Sequence, residues 1–372
     1  MMKNSSIKPI AIYLPQYHPV PENDVWWGKG FTEWTNVTKA KPRFEGHYQP
    51  HLPANLGFYD LRLEETRMAQ EQLARNYGIH GCCYYHYWFN GKRMLHEPLD
   101  RKLQNPKEDL PFMLCWANEN WTRTWDGLEN EVLLKQEYSL EDDKMHFEFL
   151  CKTYFSDERY IKHEGKPVFL VYRPGLFKNI NETIELWRKV AIENGIGEIH
   201  LGYMQSWGLT TEPNTMGFDF AVEFQPKFPQ VKAGKTNISD RIFKKLNLKN
   251  PFHDLNNQIV KDKIFDYEKF IDIQINNKFV ANVSPCIVPM WDNSSRKTTK
   301  AFIFTDGTPD KYKKWLNHII KFFPWHENPE KYLFINAWNE WAEGNHLEPC
   351  QKWGTKYLEV TKEALNENGN QN

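Results

Sequence analysis

Two glutamates lie three residues apart in the segment NAWNEWAEGNHLEP, which follows the apolar run YLFI. They are Glu340 and Glu343, and a third acid, Glu348, closes the segment. Cleavage of a glycosidic bond needs one carboxylic acid that protonates the leaving oxygen and a second carboxylate that acts as nucleophile or base. The tryptophans beside the pair would exclude water and raise the pKa of one carboxyl group. The segment therefore predicts a site with two catalytic carboxyl groups.

The backbone around these glutamates decides whether they can act together. In an extended strand, Glu340 and Glu343 would face opposite sides, whereas a turn after Asn339 would bring them together. Gly344 permits such a turn. The alternative, two surface charges that follow a strand, stays open at this point.

Strand-like and helix-like stretches alternate along the chain. Ser139 and Thr308 are predicted N-caps of two of the helices, and Pro309 suits a first helical position. Eight alternations favour an α/β fold with a parallel sheet closed into a single (β/α)8 TIM barrel, with elaborated loops at its carboxyl-terminal face. The predicted strands cover residues 9–17, 81–89, 111–119, 167–174, 199–207, 218–226, 283–292 and 332–340.

A doubly wound open sheet is the alternative fold. Such sheets usually carry a glycine-rich first turn, and the GKGFTE sequence after the first strand does not complete GxGxxG. No linker divides the alternation. We therefore expect one catalytic domain over residues 1–372, with an irregular excursion at about 227–262 and a helix in the segment DYEKFIDIQINN that follows it.

In a TIM barrel the active site lies at the carboxyl ends of the strands and in the loops that follow. Hydrogen-bonding and aromatic residues are concentrated at the predicted strand ends, which suggests a polar, aromatic-walled pocket. Structural roles are the alternative for single tryptophans, for the histidines and for the acids outside the glutamate pair. The candidate substrate-binding residues are Tyr13, Trp27, Glu33, Trp34, His86, Trp88, Trp116, Asn118, Glu119, Tyr172, Glu223, Gln225, Trp291, Asp292, Trp338, Asn339, His346 and Glu348.

The composition narrows the class of ligand. Lys and Arg total 47 against 48 for Asp and Glu, so the chain has no positive surplus for nucleic acid. It contains 15 Trp and 17 Tyr, whose flat faces and polar edges suit sugar rings. An oligosaccharide or polysaccharide is the predicted substrate, and no nucleic-acid partner is expected.

The six cysteines lie mostly in apolar runs, where they act as small hydrophobic residues. The sequence CCYYH lacks the CxxC spacing of a metal site, and we expect reduced thiols, no metal and no cofactor. The amino terminus resembles no signal peptide, and no apolar run could span a membrane. These observations predict a cytoplasmic location and leave peripheral association with a lipid-linked glycan open.

Five motifs carry a resemblance to a known family, from about residue 9 to residue 365. They are WWGKGFTEWTNV, LGFYDLR, YYHYWFNGKRML, PFMLCWANENWTRTWDG and NAWNEWAEGNHLEP. The chain resembles the WbsX family, also described as glycoside hydrolase family 99-like and often encoded with bacterial surface-polysaccharide genes. Related family 99 enzymes are endo-acting α-mannosidases on a (β/α)8 barrel.

The resemblance implies roles for the two glutamates. Glu340 would deprotonate the substrate's own 2-hydroxyl, which attacks the anomeric carbon and gives an anhydro-sugar. Glu343 would act as general acid and then as general base. The first and fourth motifs look particular to the WbsX group, so the sugar stays open between manno- and rhamno-configured linkages.

Three functions compete at this stage. The first is a retaining glycoside hydrolase or transglycosylase that acts on surface polysaccharide. The second is a glycosyltransferase of O-antigen or capsular polysaccharide biosynthesis, which often uses a DxD-type motif and a metal. The segments DNSSR and EDDK are poor substitutes for that motif. The third is a barrel that binds glycans without catalysis, which leaves the paired acids unexplained.

Overall fold

A ring of parallel strands with helices around it forms the centre of the protein. The computed structural model describes residues 7–123, 128–228 and 262–369. Most of the predicted excursion, residues 229–261, lies outside the described residues. No helix in the described ranges is long and apolar enough to cross a membrane.

Nine parallel strands form the barrel. They are β1 (Lys8–Tyr13), β2 (Gly81–Phe89), β4 (Phe112–Trp116), β8 (Lys166–Val171), β9 (His200–Met204), β10 (Phe220–Val222), β12 (Val283–Ser284), β13 (Cys286–Ile287) and β15 (Tyr332–Ile335). Their order around the ring is β12, β10, β9, β8, β4, β2, β1, β15 and β13. The described strands outside it are β3 (Lys92–Met94), β5 (Trp121–Arg123), β6 (Leu128–Leu134), β7 (Lys162–His163), β11 (Lys263–Asp266), β14 (Phe302–Thr305), β16 (Asn339–Glu340) and β17 (Asn345–His346).

The described helices surround this ring. They are α1 (Pro21–Trp27), α2 (Glu33–Lys39), α3 (Glu64–Asn76), α4 (Glu97–Gln104), α5 (Leu140–Leu150), α6 (Ile180–Glu193), α7 (Tyr267–Asn276), α8 (Pro309–Phe322) and α9 (Lys356–Gly369). Two predicted caps are confirmed, because the side chains of Ser139 and Thr308 accept hydrogen bonds from backbone N–H groups in the first turns of α5 and α8. Helix α7 confirms the helix expected in the segment DYEKFIDIQINN.

Pro285 divides the seventh barrel strand into two pieces that face different neighbours. The β12 piece pairs with β10, and the β13 piece pairs with β15. The backbone carbonyl of Pro285 accepts a hydrogen bond of 2.9 Å from the N–H of Phe334. A proline lacks the N–H that a continuous central strand would use, so the break suits this residue. The two pieces bring the ends of the sheet together and confirm the predicted (β/α)8 barrel.

The barrel strands are apolar on both faces, as expected for a parallel sheet covered by helices. Val168, Phe169, Leu170 and Val171 of β8 are all fully buried. The observed strands are mostly shorter at their carboxyl ends than predicted. The eighth ends at Ile335, five residues before the predicted end, because the polar residues beyond it leave the sheet to form the site.

Gly202 of β9 is required by the packing between three strands. A Cβ atom there would lie 2.5 Å from Cε1 of Phe220 and 2.7 Å from Cδ2 of Leu170. Both neighbours are fully buried and have no room to withdraw. We predict that Gly202→Ala lowers the free energy of unfolding by about 1–3 kcal/mol, as other overpacked cores do.

Urea denaturation measures this loss, and Gly175→Ala is the matched control. Gly175 is exposed, and a methyl group added there would meet no neighbouring atom within 4 Å. Equal stability of the Gly202 variant and the wild type would contradict the packing described for β9.

Candidate active site

A cavity of about 680 Å³ opens at the carboxyl-terminal ends of the barrel strands. This volume lies within the range of small-molecule binding sites. Six of the predicted site residues line it, namely Trp27, Glu119, Tyr172, Trp291, Glu340 and Glu343. Both glutamates of the NEWAEG segment therefore face one cavity.

The glutamate pair sits on a tight turn between two short antiparallel strands. Strand β16 ends at Glu340, and a 3-10 turn over Trp341–Glu343 leads to Gly344 with a φ of 58°. A Cβ atom at Gly344 would also lie 3.0 Å from Cβ of Asp292. The chain thus turns after Glu340, one residue later than the turn considered from the sequence, and glycine meets both the positive φ and the close approach.

Arg296 connects three carboxylates in this region. Its Nη1 lies 2.7 Å from Oε1 of Glu343, and its Nη2 lies 2.8 Å from Oε2 of Glu340. Its Nε donates to Oε1 of Glu33 at 2.6 Å. Glu33 is fully buried in α2 and does not line the cavity, so it holds the arginine from behind.

One guanidinium thus faces three buried or half-buried acids. Burial raises the pKa of Glu340 to about 8, although the charge of Arg296 opposes this shift. Burial also raises the pKa of Glu343, again against Arg296. Since the two carboxyl groups interact, a proton taken up near neutral pH belongs to the pair. The site can therefore supply a protonated acid and a carboxylate at once.

A second layer of side chains holds the turn in place. The carboxylate of Glu348 accepts hydrogen bonds from Trp341 Nε1 at 2.7 Å, from the hydroxyl of Tyr59 at 2.8 Å and from Gln70 Nε2 at 2.6 Å. Gln70 in turn accepts from the hydroxyl of Tyr13. These contacts place Tyr13 and Glu348 behind the turn and correct their assignment to the pocket.

Asn339 fixes the turn to the first strand. Its side-chain oxygen accepts from the backbone N–H of Leu14 at 2.8 Å, and its side-chain nitrogen donates to the Leu14 carbonyl at 3.0 Å. Trp338 is buried beside it. His346 stacks on Trp341, with ring centroids 3.8 Å apart. These residues support the turn from within the fold and do not line the cavity.

Strand β2 shows why other predicted residues miss the cavity. Successive side chains of a strand face opposite sides. Tyr85 and Tyr87 line the cavity, whereas His86 and Trp88 face the helices outside. Nε2 of His86 lies 2.9 Å from Nε2 of His146 in α5. The predicted residues His86 and Trp88 are sequence neighbours of the lining residues, but their side chains lie on the other face of the strand.

A similar alternation occurs in the segment that follows the sixth strand, β10. Phe224 and Pro226 line the cavity, but Glu223 pairs with Lys227 at 3.0 Å. Gln225 is buried and donates from Nε2 to Oε1 of Gln274 at 3.0 Å. Both polar residues border a separate small cavity.

The remaining predicted residues have structural partners. The indole N–H of Trp34 donates to the carbonyl of Tyr59, and Asp292 accepts from Gln49 and contacts His47. Asn118 bonds to the hydroxyl of Tyr138 and to the backbone of Arg173, while Trp116 packs on His146 and Trp187. In total the structure places these predicted residues outside the cavity lining: Tyr13, Glu33, Trp34, His86, Trp88, Trp116, Asn118, Glu223, Gln225, Asp292, Trp338, Asn339, His346 and Glu348.

Several lining residues were not predicted from the sequence. The rings of Trp121 and Trp207 form part of the aromatic wall of the cavity. Trp207 is 74% exposed and has a positive φ of 54°. The guanidinium of Arg173 lies 4.7 Å from the Trp207 ring and pairs with Glu119. Arg296 is the most important lining residue that the sequence does not predict. The only indication of its role in the sequence is its position shortly after the seventh predicted strand.

Comparison with known proteins places the chain in a family. The profile described as glycosyltransferase WbsX matches residues 9–361. The chain belongs to the WbsX family. It is 40% identical over 364 residues to WxcX of Xanthomonas campestris pv. campestris strain B100, and 39% identical to WxcX of strain ATCC 33913. The alignment covers 96% of this chain and 49% of WxcX, so the chain spans about half the length of these relatives.

Solved structures share the barrel of this WbsX member at low sequence identity. A glycoside hydrolase-like protein is 14% identical with a TM-score of 0.58, and the match covers 97% of this chain and 94% of that one. The GH99 endo-α-mannosidase from Bacteroides thetaiotaomicron, in complex with Bis-Tris propane, is 13% identical with a TM-score of 0.57 and 97% coverage of both chains. These similarities support the fold.

The raised pKa of Glu340 has a consequence for stability. Its pKa is about 8 in the folded protein against an ordinary value of 4.5, so the folded state holds a proton that the unfolded state has lost between these pH values. The free energy of unfolding should therefore fall as the pH rises through this window, by at most about 1.4 kcal/mol per pH unit for one proton. Glu340→Gln removes one of the two interacting carboxyl groups and so reduces this proton uptake, and its stability relative to wild type should rise from pH 5 to pH 8.5.

Urea denaturation of both proteins across this pH range measures the difference. The control is Glu363→Gln, which changes an exposed acid paired with Lys313. A stability difference between Glu340→Gln and wild type that is independent of pH would show that Glu340 titrates normally.

Proposed function

We propose that the protein is a carbohydrate-active enzyme of bacterial surface polysaccharide that cleaves or transfers α-mannoside-like linkages with retention of configuration. The observation that carries this proposal is the pair Glu340 and Glu343 on one wall of the cavity, joined by Arg296. Two carboxyl groups in different protonation states are the requirement of glycosidic chemistry. The aromatic wall that includes Trp27, Trp121 and Trp207 suits stacking against sugar rings.

In the first step, Glu340 takes the proton of the substrate 2-hydroxyl, and O2 attacks the anomeric carbon. The bond to the leaving oxygen breaks, and Glu343 gives its proton to that oxygen. In the second step, Glu343 takes a proton from water or from an acceptor hydroxyl, which attacks the anomeric carbon of the anhydro-sugar. The bond between O2 and the anomeric carbon breaks, and Glu340 returns its proton to O2. Manno- and rhamno-configured α-glycosides place O2 opposite the leaving group, as this route requires.

Substrate binding would set the protonation states for this route. In the free site, burial raises the pKa of Glu340 to about 8, which favours a proton on this residue. A 2-hydroxyl that donates a hydrogen bond to Glu340 would stabilise its ionised form and lower that pKa. The shared proton would then lie on Glu343, where the leaving group needs it. Arg296 contacts both carboxyl groups and so stabilises the pair when it carries a net negative charge.

A glycosyltransferase is the competing function, and the family description favours it. The acidic segments that could hold a nucleotide-sugar through a metal already have other partners. Asp292 is buried against His47 and Gln49. Asp142 accepts from the indole of Trp88, and Asp143 from the hydroxyl of Thr183. These contacts favour the glycosidase-type reaction within the described residues.

The proposed substrate is an oligosaccharide or polysaccharide, and a cytoplasmic site of action would make a lipid-linked glycan suitable. Calorimetry with a panel of nucleotide-sugars separates the two enzyme classes. The proposal predicts no saturable heat of binding, whereas tight binding of one nucleotide-sugar would favour the transferase.

The roles of the two glutamates predict different responses to the leaving group. Glu343→Gln should reduce kcat/KM for a sugar α-mannoside by about 10²- to 10⁴-fold, because a poor leaving group needs general acid help. An activated aryl α-mannoside should lose far less. Glu340→Gln should impair both substrates severely, since the 2-hydroxyl must lose its proton in either case. Steady-state kinetics with the matched pair of substrates measures these ratios, and α-rhamnosides form a second pair.

A 2-deoxy analogue tests the role of the 2-hydroxyl without a mutation, and it should not turn over. Glu363→Gln again serves as the control and should keep wild-type kinetics. Normal turnover of the 2-deoxy analogue, or equal losses of aryl-glycoside activity in both variants, would contradict the assigned roles.

A further inference from the structure

Three potential metal ligands meet at the end of the barrel opposite the cavity. His163 ends β7, His200 begins β9, and Glu330 lies two residues before β15. Each offers one ligand atom, and these atoms all lie within 4.8 Å of one another. The three segments enter the barrel from different parts of the chain and meet at its amino-terminal ends.

The carboxylate of Glu330 is incompletely paired within this cluster. Its Oε1 lies 2.8 Å from Nε2 of His200. Its Oε2 is buried without a hydrogen-bond partner, and the residue as a whole is 3% exposed. A buried carboxylate oxygen usually has a partner, so an orphaned one calls for an ion or a water. This observation is independent of the proximity of the three side chains.

The distances suit a small divalent cation. A tetrahedral zinc ion with bonds of about 2.0–2.2 Å to nitrogen and oxygen requires ligand atoms roughly 3.3 Å apart. The separations in the cluster are all within 4.8 Å, so none exceeds this value by more than about 1.5 Å. Two imidazoles and one carboxylate form a donor set that zinc commonly uses, with a fourth position for water.

Two features around the cluster suit a bound ion, namely a carboxylate near His200 and access from solvent. Nδ1 of His200 faces Oδ2 of Asp219 at 3.9 Å, and a shorter distance in the metal-bound protein would let the imidazole donate to this carboxylate. His163 is half-buried and leaves a route from solvent.

We propose that His163, His200 and Glu330 bind a zinc-class divalent cation that stabilises the amino-terminal end of the barrel. The ion would join the hairpin of β7 and β8 to β9 and to the segment before β15. Strand β9 is not adjacent to β15 in the ring, so the link would cross the barrel end. Its place opposite the cavity gives it a role in stability and none in the glycosidic reaction.

This proposal revises the sequence-based expectation of no metal. That expectation rested on the lack of close ligand spacing along the chain, but these ligands are 37 and 130 residues apart. The expectation of chemistry without a metal still applies to the cavity. The proposed metal site and the metal-free reaction in the cavity can be tested separately. Chelation should lower thermal stability and leave the activity of the folded enzyme unchanged.

Zinc titration of the tag-free, chelator-treated protein against a competing chromophoric chelator tests the proposal. Wild type should bind one equivalent, and its Tm should rise with zinc concentration. Glu330→Gln and His163→Ala should each weaken binding by about 100-fold or more, since loss of an outer-shell partner alone costs about 10- to 100-fold. His326→Ala is the control, because His326 lies in the same loop as Glu330 and its side chain is 81% exposed.

Cobalt provides a second readout through the absorption of its tetrahedral complexes, which Glu330→Gln should abolish. If His163→Ala does not fold, Glu330→Gln alone decides, because it keeps the size and the hydrogen-bond acceptor of the native side chain. Three results would overturn the proposal: no stoichiometric zinc in wild type, undiminished binding in the variants, or an equal loss in His326→Ala.

Discussion

Three carboxylates that share one buried guanidinium constrain the rest of the site. Arg296 contacts Glu33, Glu340 and Glu343 at 2.6–2.8 Å, and its side chain is 14% exposed. A buried cation is stable only with paired anions, and buried anions are stable only with a cation or a proton. Since one positive charge cannot balance three negative charges, the two cavity glutamates retain a proton at higher pH than isolated carboxyl groups would.

The barrel brings these four charged side chains together from separate parts of the chain. Glu33 comes from α2, the second helix after the first strand, Arg296 from the loop after the seventh strand, and the glutamate pair from the turn after the eighth. Hydrogen bonds from Asn339 to the end of the first strand and from Trp341 to Glu348 keep the turn from relaxing away from the arginine. The energetic cost of three adjacent acids is thus offset by a rigid frame of buried aromatic and amide groups.

The sequence predicts the architecture well because hydrophobic alternation and helix caps are local signals. It also predicts the turn at Gly344, whose backbone freedom can be recognised from residue type alone. The inward face of each strand is harder to predict, because both faces of a barrel strand are buried and correct bounds, such as those of β2, do not tell which alternate side chains point into the barrel. His86 and Trp88 were preferred to Tyr85 and Tyr87 for this reason. Arg296 could not be found locally, since its partners are 44, 47 and 263 residues away.

Infrared spectroscopy observes the proton shared by Glu340 and Glu343 directly. A difference spectrum of the substrate-free protein between about pH 6.5 and pH 9.5 reports the carboxyl groups that ionise in that interval. A shared proton predicts a protonated carboxyl band at the lower pH that disappears at the higher pH and is weaker in Glu340→Gln. Glu348, whose pKa burial raises to about 7, accounts for the part of the band that remains in this variant. A wild-type spectrum without that band would mean that both glutamates are ionised at neutral pH, and it would contradict the account.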